Sequence, residues 1–204
     1  MHTSWNDVFW SVLLGFVVCL FTFWAEKSRR VTDMLEPIAA ITTALLASAI
    51  TLIDPSINMP LVILSAIIAF IPGLSLTLGL AELAARHLMS GTARIMDAVM
   101  MLFKLYFGAV LGMALGKLFW GEVEYVTPNI MPDWTAWAAV TTLSISLVIL
   151  FRVRKKDAPW GIISGYVAYG ASIIGAAYLG PALGAFVGAF VLGIYGNLFS
   201  RIMK

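Results

Sequence analysis

Residues 70–97 read "FIPGLSLTLGLAELAARHLMSGTARIMD". Leu61–Ala81 is apolar for about the length of a membrane crossing, yet Pro72-Gly73 falls about halfway across it. Proline lacks an N–H and clashes with the preceding turn, so the helix is expected to kink or end near Ile71. Gly73 adds backbone freedom. Main-chain groups left unpaired in hydrocarbon cost several kcal/mol each, so a break survives only where protein, water or a ligand satisfies them. Two readings follow: a kink healed by neighbouring helices, or a discontinuous helix lining a substrate cavity. In the second, the segment from Leu74 presents free N–H groups and a positive dipole end, with the hydroxyls of Ser75 and Thr77 beside them. Pro72, Gly73, Leu74, Ser75 and Thr77 are then the candidate substrate-binding residues, suited to the carboxylate of an amino acid or small organic acid.

The rest of the chain fixes the fold class. Of 204 residues, 61% are hydrophobic and 12% charged, about half the charge of an ordinary soluble domain. Several apolar runs approach the ~20 residues needed to cross a bilayer. This is an all-α, polytopic transmembrane helix bundle, read as one membrane domain over residues 1–204. Seven spans fit: Val8–Trp24, Ile38–Ile53, Leu61–Ala81, Met96–Trp120, Trp134–Phe151, Trp160–Leu179 and Ala182–Phe199. The first is read as a retained span rather than a signal peptide. The connectors "AEKSRRVTDML", "ARHLMSGTARI", "RVRKKDAP" and "SRIMK" contain nearly all the Lys and Arg, whereas "DPSINM", "GEVEYVTPNIMPD" and "LGP" contain none. Cytoplasmic loops carry the excess of cations, so the N-terminus is expected outside and the C-terminus inside. Trp5, Trp10, Trp24, Trp120, Trp134 and Trp160 lie near span ends, where amphipathic rings favour the interface. A net charge of +2 gives no footing for nucleic acid, and the single Cys19 cannot form an internal disulfide.

Beyond the break, Glu82, Arg86, Ser90 and Arg94 are spaced by four. They would stack on one face if the helix continued, although Ser90-Gly91 is expected to end it and leave Arg94 on the next element. Glu82 is either an i,i+4 surface partner of Arg86 or an inward carboxylate that meets Lys104 or exchanges protons. Lys117 can snorkel from its span end, but Lys104 lies deeper and needs a counterion; Asp97, seven residues before it, and Glu82 are the candidates. Gly108, Gly112 and Gly116 form one small-residue ladder, and Gly180, Gly184 and Gly188 another, suited to close helix packing. Thr141, Thr142, Ser144, Ser146, Tyr166 and Tyr169 could line a path or bond between helices. No cofactor or metal cluster is expected, and an enzyme is disfavoured. "SGTAR" is similar to the D-G-x-x-A-R opening of phospholipid head-group transferases, but the aspartates that such metal-dependent chemistry requires are missing.

The run "IPGLSLTLGLAELAARHLMSGTAR" followed by "LFKLYFGAVLG" resembles the threonine/serine exporter (ThrE-like) family. The matching features are Pro72-Gly73, Glu82-Leu83, Ser90-Gly91 with Arg94, and the glycines from Gly108 to Gly116. "SWNDVFWSVLLGF" and "GAFVGAFVLGIYGNLFSR" also look like that family's membrane region. The resemblance implies a secondary transporter exporting small hydroxy amino acids or related small carboxylates, proton-coupled, in a bacterial-type inner membrane. It covers the membrane region only, without the family's hydrophilic N-terminal domain and second Pro-Gly half. A homo-oligomer or a partner subunit supplying that half is therefore expected; the alternative is a non-transporting half-transporter subunit.

Overall fold

The computed structural model describes residues 4–25, 34–121, 132 and 134–202. The basic connector from Lys27 to Arg30 and most of the connector "GEVEYVTPNIMPD" lie outside the described residues. Among the described residues the fold is all-helical. The elements are α1 (Trp5–Ala25), α2 (Leu35–Ile50), α3 (Met59–Ile67), a 3-10 turn (Ile68–Phe70), α4 (Gly73–Ala84), α5 (Leu88–Trp120), α6 (Trp134–Leu150), α7 (Ala158–Leu179) and α8 (Pro181–Ile202). Four of them, α1, α5, α7 and α8, are long and apolar enough to cross a membrane. A fifth crossing results if α3, the 3-10 turn and α4 count as one span, bent by 58° at the break. α2 and α6 are shorter apolar helices of 16 and 17 residues.

The chain divides into two compact units, Met1–Met131 and Pro132–Lys204. In the first, α2 packs along α5, α1 lies against α3 and α2, and α4 folds back on the start of α5. The core of this unit is built from Leu14, Val18, Ala39, Ala40, Ala44, Ala47, Ile57, Val62, Ile63 and Leu105. Its alanines are decisive, because they allow α5 to approach α2 along its glycine ladder. A Cβ on Gly108 would stand 2.8 Å from the Pro37 carbonyl oxygen, and one on Gly112 2.5 Å from that of Ile41. A Cβ on Gly116 would press into Ser48. Close approach of this kind supplies dispersion contacts where apolar burial offers no driving force.

The N-terminal ends of α1 and α3 are joined by Asp7, which is 1% exposed. Its carboxylate accepts the Ser4 N–H at 2.8 Å and the Asn58 N–H at 2.7 Å, while its own N–H donates to Ser4 Oγ at 3.2 Å. That is a capping box closed by Asp in place of Glu. Asn58 in turn caps α3 by accepting the Leu61 N–H.

In the second unit, α7 packs on α8 and α6 on α7. Gly184 and Gly188 face Ala168, Ser172 and Ala176 at backbone distance. Gly180 is not part of that ladder. It occupies the turn between α7 and α8 with φ +89°, a conformation that favours glycine. Thr141 and Tyr166 bond to each other between α6 and α7, and Trp137 stacks on Tyr166 and meets Tyr169 edge-on. These side chains are engaged between helices. Ser144 turns its hydroxyl back to the Val140 carbonyl.

Candidate functional site

The break is tighter than a simple kink. Ile71 is extended, with ψ 120°, and Pro72 follows at φ −80° and ψ 52°. The Gly73 N–H folds back onto the Ile71 carbonyl at 2.8 Å, and the first α-helical bond of α4 runs from the Leu76 N–H to the Pro72 carbonyl at 3.0 Å. The amides of Leu74 and Ser75 fall inside that first turn, where the helix itself has no acceptor for them, and no side chain caps them. Leu74 is 62% exposed at the surface of the chain. Thr77 spends its hydroxyl on the Gly73 carbonyl at 2.9 Å.

A groove of about 340 Å³ opens on the α3 side of the break, between α3 and α5. Its walls include Ile63, Ile67, Ile71, Leu102, Leu105 and Tyr106. Apart from Tyr106 and Met113 its side chains are pure hydrocarbon, and Leu74, Ser75 and Thr77 are not part of it. The structure thus separates the apolar opening from the polar face of the α4 N-terminus.

Past the break, the spacing of four does not produce one polar face. α4 ends at Ala84, short of Ser90-Gly91. Arg86 takes the left-handed conformation at φ 65°. The Arg86 N–H bonds the Leu83 carbonyl at 3.0 Å and the His87 N–H bonds that of Glu82 at 2.9 Å. This is a Schellman termination with arginine where glycine is usual. Ser90 and Gly91 belong to the first turn of α5. Gly91 allows α4 and α5 to cross, since a Cβ there would sit 2.9 Å from the Leu83 side chain and 3.0 Å from the Gly79 carbonyl oxygen.

The reversal also corrects the expected charge partners. Glu82 does not pair with Arg86; its Oε1 accepts from Arg94 at 3.0 Å, across the turn between α4 and α5. Its Oε2 is shielded and has no hydrogen-bond partner. Lys104 meets neither Asp97 nor Glu82. It faces Glu36, in the first turn of α2, at 3.9 Å. Asp97 is exposed and makes no ion pair among the described residues. Sequence reasoning missed Glu36 because "MLEP" reads as the end of a basic loop. The signal available was a carboxylate immediately before Pro37, at the opening of an apolar helix. No group of three or more His, Cys, Asp or Glu with metal-binding geometry occurs among the described residues.

The family model described as "Putative threonine/serine exporter" matches residues 1–116. Pheromone-regulated membrane protein 10 of Eremothecium gossypii is 29% identical over 209 residues, covering 98% of this chain and 28% of that protein. The protein of the same name from Saccharomyces cerevisiae S288c is 26% identical over 207 residues, covering 98% of this chain and 54% of its own. That from Kluyveromyces lactis is 27% identical over 186 residues, covering 88% and 20%. The chain thus spans about a fifth to a half of the length of these relatives. No solved structure matches.

Proposed function

The chain belongs to the threonine/serine exporter family, and we propose that it serves as a secondary exporter of threonine, serine or related small carboxylates, driven by the proton gradient. It is an integral membrane protein; the proposed site is a bacterial-type cytoplasmic membrane with the N-terminus outside. That placement rests on the distribution of Lys and Arg and takes nothing from the compared relatives, which are yeast proteins. The activity is transport rather than catalysis. The observation that carries the reading is the 58° break between α3 and α4. Two helical pieces joined by a two-residue elbow form the kind of element that rocks in alternating-access transporters. The unpaired amides of Leu74 and Ser75 offer one place for a substrate carboxylate. Glu82, with one shielded and unpartnered oxygen, is the proposed proton acceptor.

A second reading, a subunit that carries no flux without a separately encoded partner, gives a different outcome in the same experiment. The glycine ladders are not the docking faces for such a partner, because the chain itself covers them. The test is uptake of radiolabelled threonine or serine into proteoliposomes under an imposed pH gradient. A Pro72→Ala/Gly73→Ala double variant accompanies the wild type. Flux that falls when the elbow is straightened supports the exporter reading. Flux unchanged in the variant removes the elbow from the mechanism, and no flux from the wild type favours the subunit.

A further inference from the structure

Glu36 and Lys104 carry opposite charges that face each other without bonding. Nζ and Oε2 are 3.9 Å apart, beyond hydrogen-bond length. Glu36 Oε2 is shielded from the surface yet has no hydrogen-bond partner, and Lys104 has none among the described residues. The two side chains differ in access. Lys104 is 44% exposed and Glu36 16%. The two side chains spring from helices held in backbone contact. One turn beyond Lys104, Gly108 brings α5 against Pro37 and Ala40 of α2, so the first turn of α2 is pinned beside the lysine. The other helices on α2 bring no competing charge. α3 has no charged residue, and the one charged residue of α1, Asp7, is already bonded to Ser4 and Asn58. Glu82 is taken by Arg94.

We infer that Glu36 and Lys104 form a recognition site for the zwitterionic head of a free α-amino acid. This rests on the transport reading above and narrows its substrate class. The α-carboxylate accepts from the Lys104 ammonium, and the α-ammonium donates to Glu36 Oε2. The four charges alternate around a ring, so every neighbour is attractive and the resident pair need not be prised apart. Each bond also fills hydrogen-bonding capacity that is empty in the structure, and charge-assisted bonds of this kind are the strong ones. The arrangement discriminates by charge pattern. A dicarboxylate supplies two anions and sets one against Glu36. An amine without a carboxylate leaves Lys104 facing a second cation. In this arrangement the substrate carboxylate goes to Lys104 rather than to the α4 amides.

The test is equilibrium binding to the purified chain in lipid nanodiscs, alongside the flux assay. The probes are threonine, threoninol (no carboxylate), 3-hydroxybutyrate (no ammonium) and succinate. Threonine is expected to bind and the other three to fail. Glu36→Gln and Lys104→Gln should each weaken threonine binding about fivefold, the scale of one charge pair partly open to solvent. The exchanged pair Glu36→Lys/Lys104→Glu should recover part of the loss, which a merely misfolded protein would not. Unchanged threonine binding by Glu36→Gln, or succinate bound as tightly as threonine, overturns the inference. If flux persists in that case, the transport reading stands without this site. Absence of both binding and flux for every probe removes the two together.

Discussion

Glu82 and Arg94 lie 3.0 Å apart although twelve residues and a chain reversal separate them. The pair fastens the end of α4 to the second turn of α5. Arg94 is 43% exposed, so solvent screening limits its worth to about 0.2–1 kcal/mol. A double-mutant cycle with Glu82→Gln and Arg94→Gln, followed by thermal unfolding in detergent, should return a coupling in that range. Zero coupling would show that the turn is held by its backbone bonds alone.

Arg86 and Arg152 both adopt positive φ, 65° and 49°, and both sit in Schellman terminations. For Arg152 the bonds run from its N–H to Ile149 and from Val153 to Val148, each at 3.0 Å. A non-glycine residue there costs about 1–2 kcal/mol, offset in part by about 0.3–1 kcal/mol from a cation at a helix C-terminus. Arg86→Gly and Arg152→Gly are each expected to raise thermal stability by about 0.5–1 kcal/mol. A fall instead would mean that the side chains make contacts worth more than the strain.

Gly112 and Gly15 predict opposite responses to the same substitution. Gly112→Ala drives a methyl to 2.5 Å from the Ile41 carbonyl oxygen, a backbone atom that cannot swing aside. It should cost about 1–3 kcal/mol. Gly15, in the interior of α1, has nothing within 4 Å of its would-be Cβ, so Gly15→Ala should gain about 0.5–1 kcal/mol. Unfolding midpoints of the two variants, measured side by side, check the packing of α2 on α5.

Asp54, in the connector between α2 and α3, has its carboxyl pKa held below the ordinary 3.8. The largest cause is the Ser56 hydroxyl, bonded at 2.5 Å; burial opposes it, and the Ser56 N–H, the Asn6 amide and Trp10 add to the lowering. A folded-state pKa below the unfolded one gives stability that is fully present above 3.8 and is lost as pH falls through the lower folded value. Ser56→Ala should move the Asp54 titration back up toward 3.8. Carbon NMR of the labelled carboxyl reads this directly, and an unmoved titration would dismiss the hydroxyl as its cause.

The elbow was legible because proline and glycine act locally. No tertiary partner is needed to know that a helix stops at Pro72. The α5 glycine ladder was legible for the same reason, since a repeat of four marks one helix face, whereas Gly180 keeps the spacing of Gly184 and Gly188 but stands in the turn before them. The end of α4 was not, because the usual glycine signal is absent and arginine occupies the left-handed position, so Ser90-Gly91 attracted the reading instead. Glu36 was hidden for a different reason. Spacing along one helix nominates Asp97 as the partner of Lys104, but the pairing of α2 with α5 decides it. Asp7 likewise gains its role from Asn58, which lies far along the chain.

α5 runs for 33 residues, about 50 Å at 1.5 Å per residue, against a hydrocarbon layer of about 30 Å. Such a rod must either lean steeply or emerge from the oil. Arg94 and Asp97, within its first ten residues, suit that end to water. A thinner membrane leaves more of such a rod outside the oil, and a thicker one less.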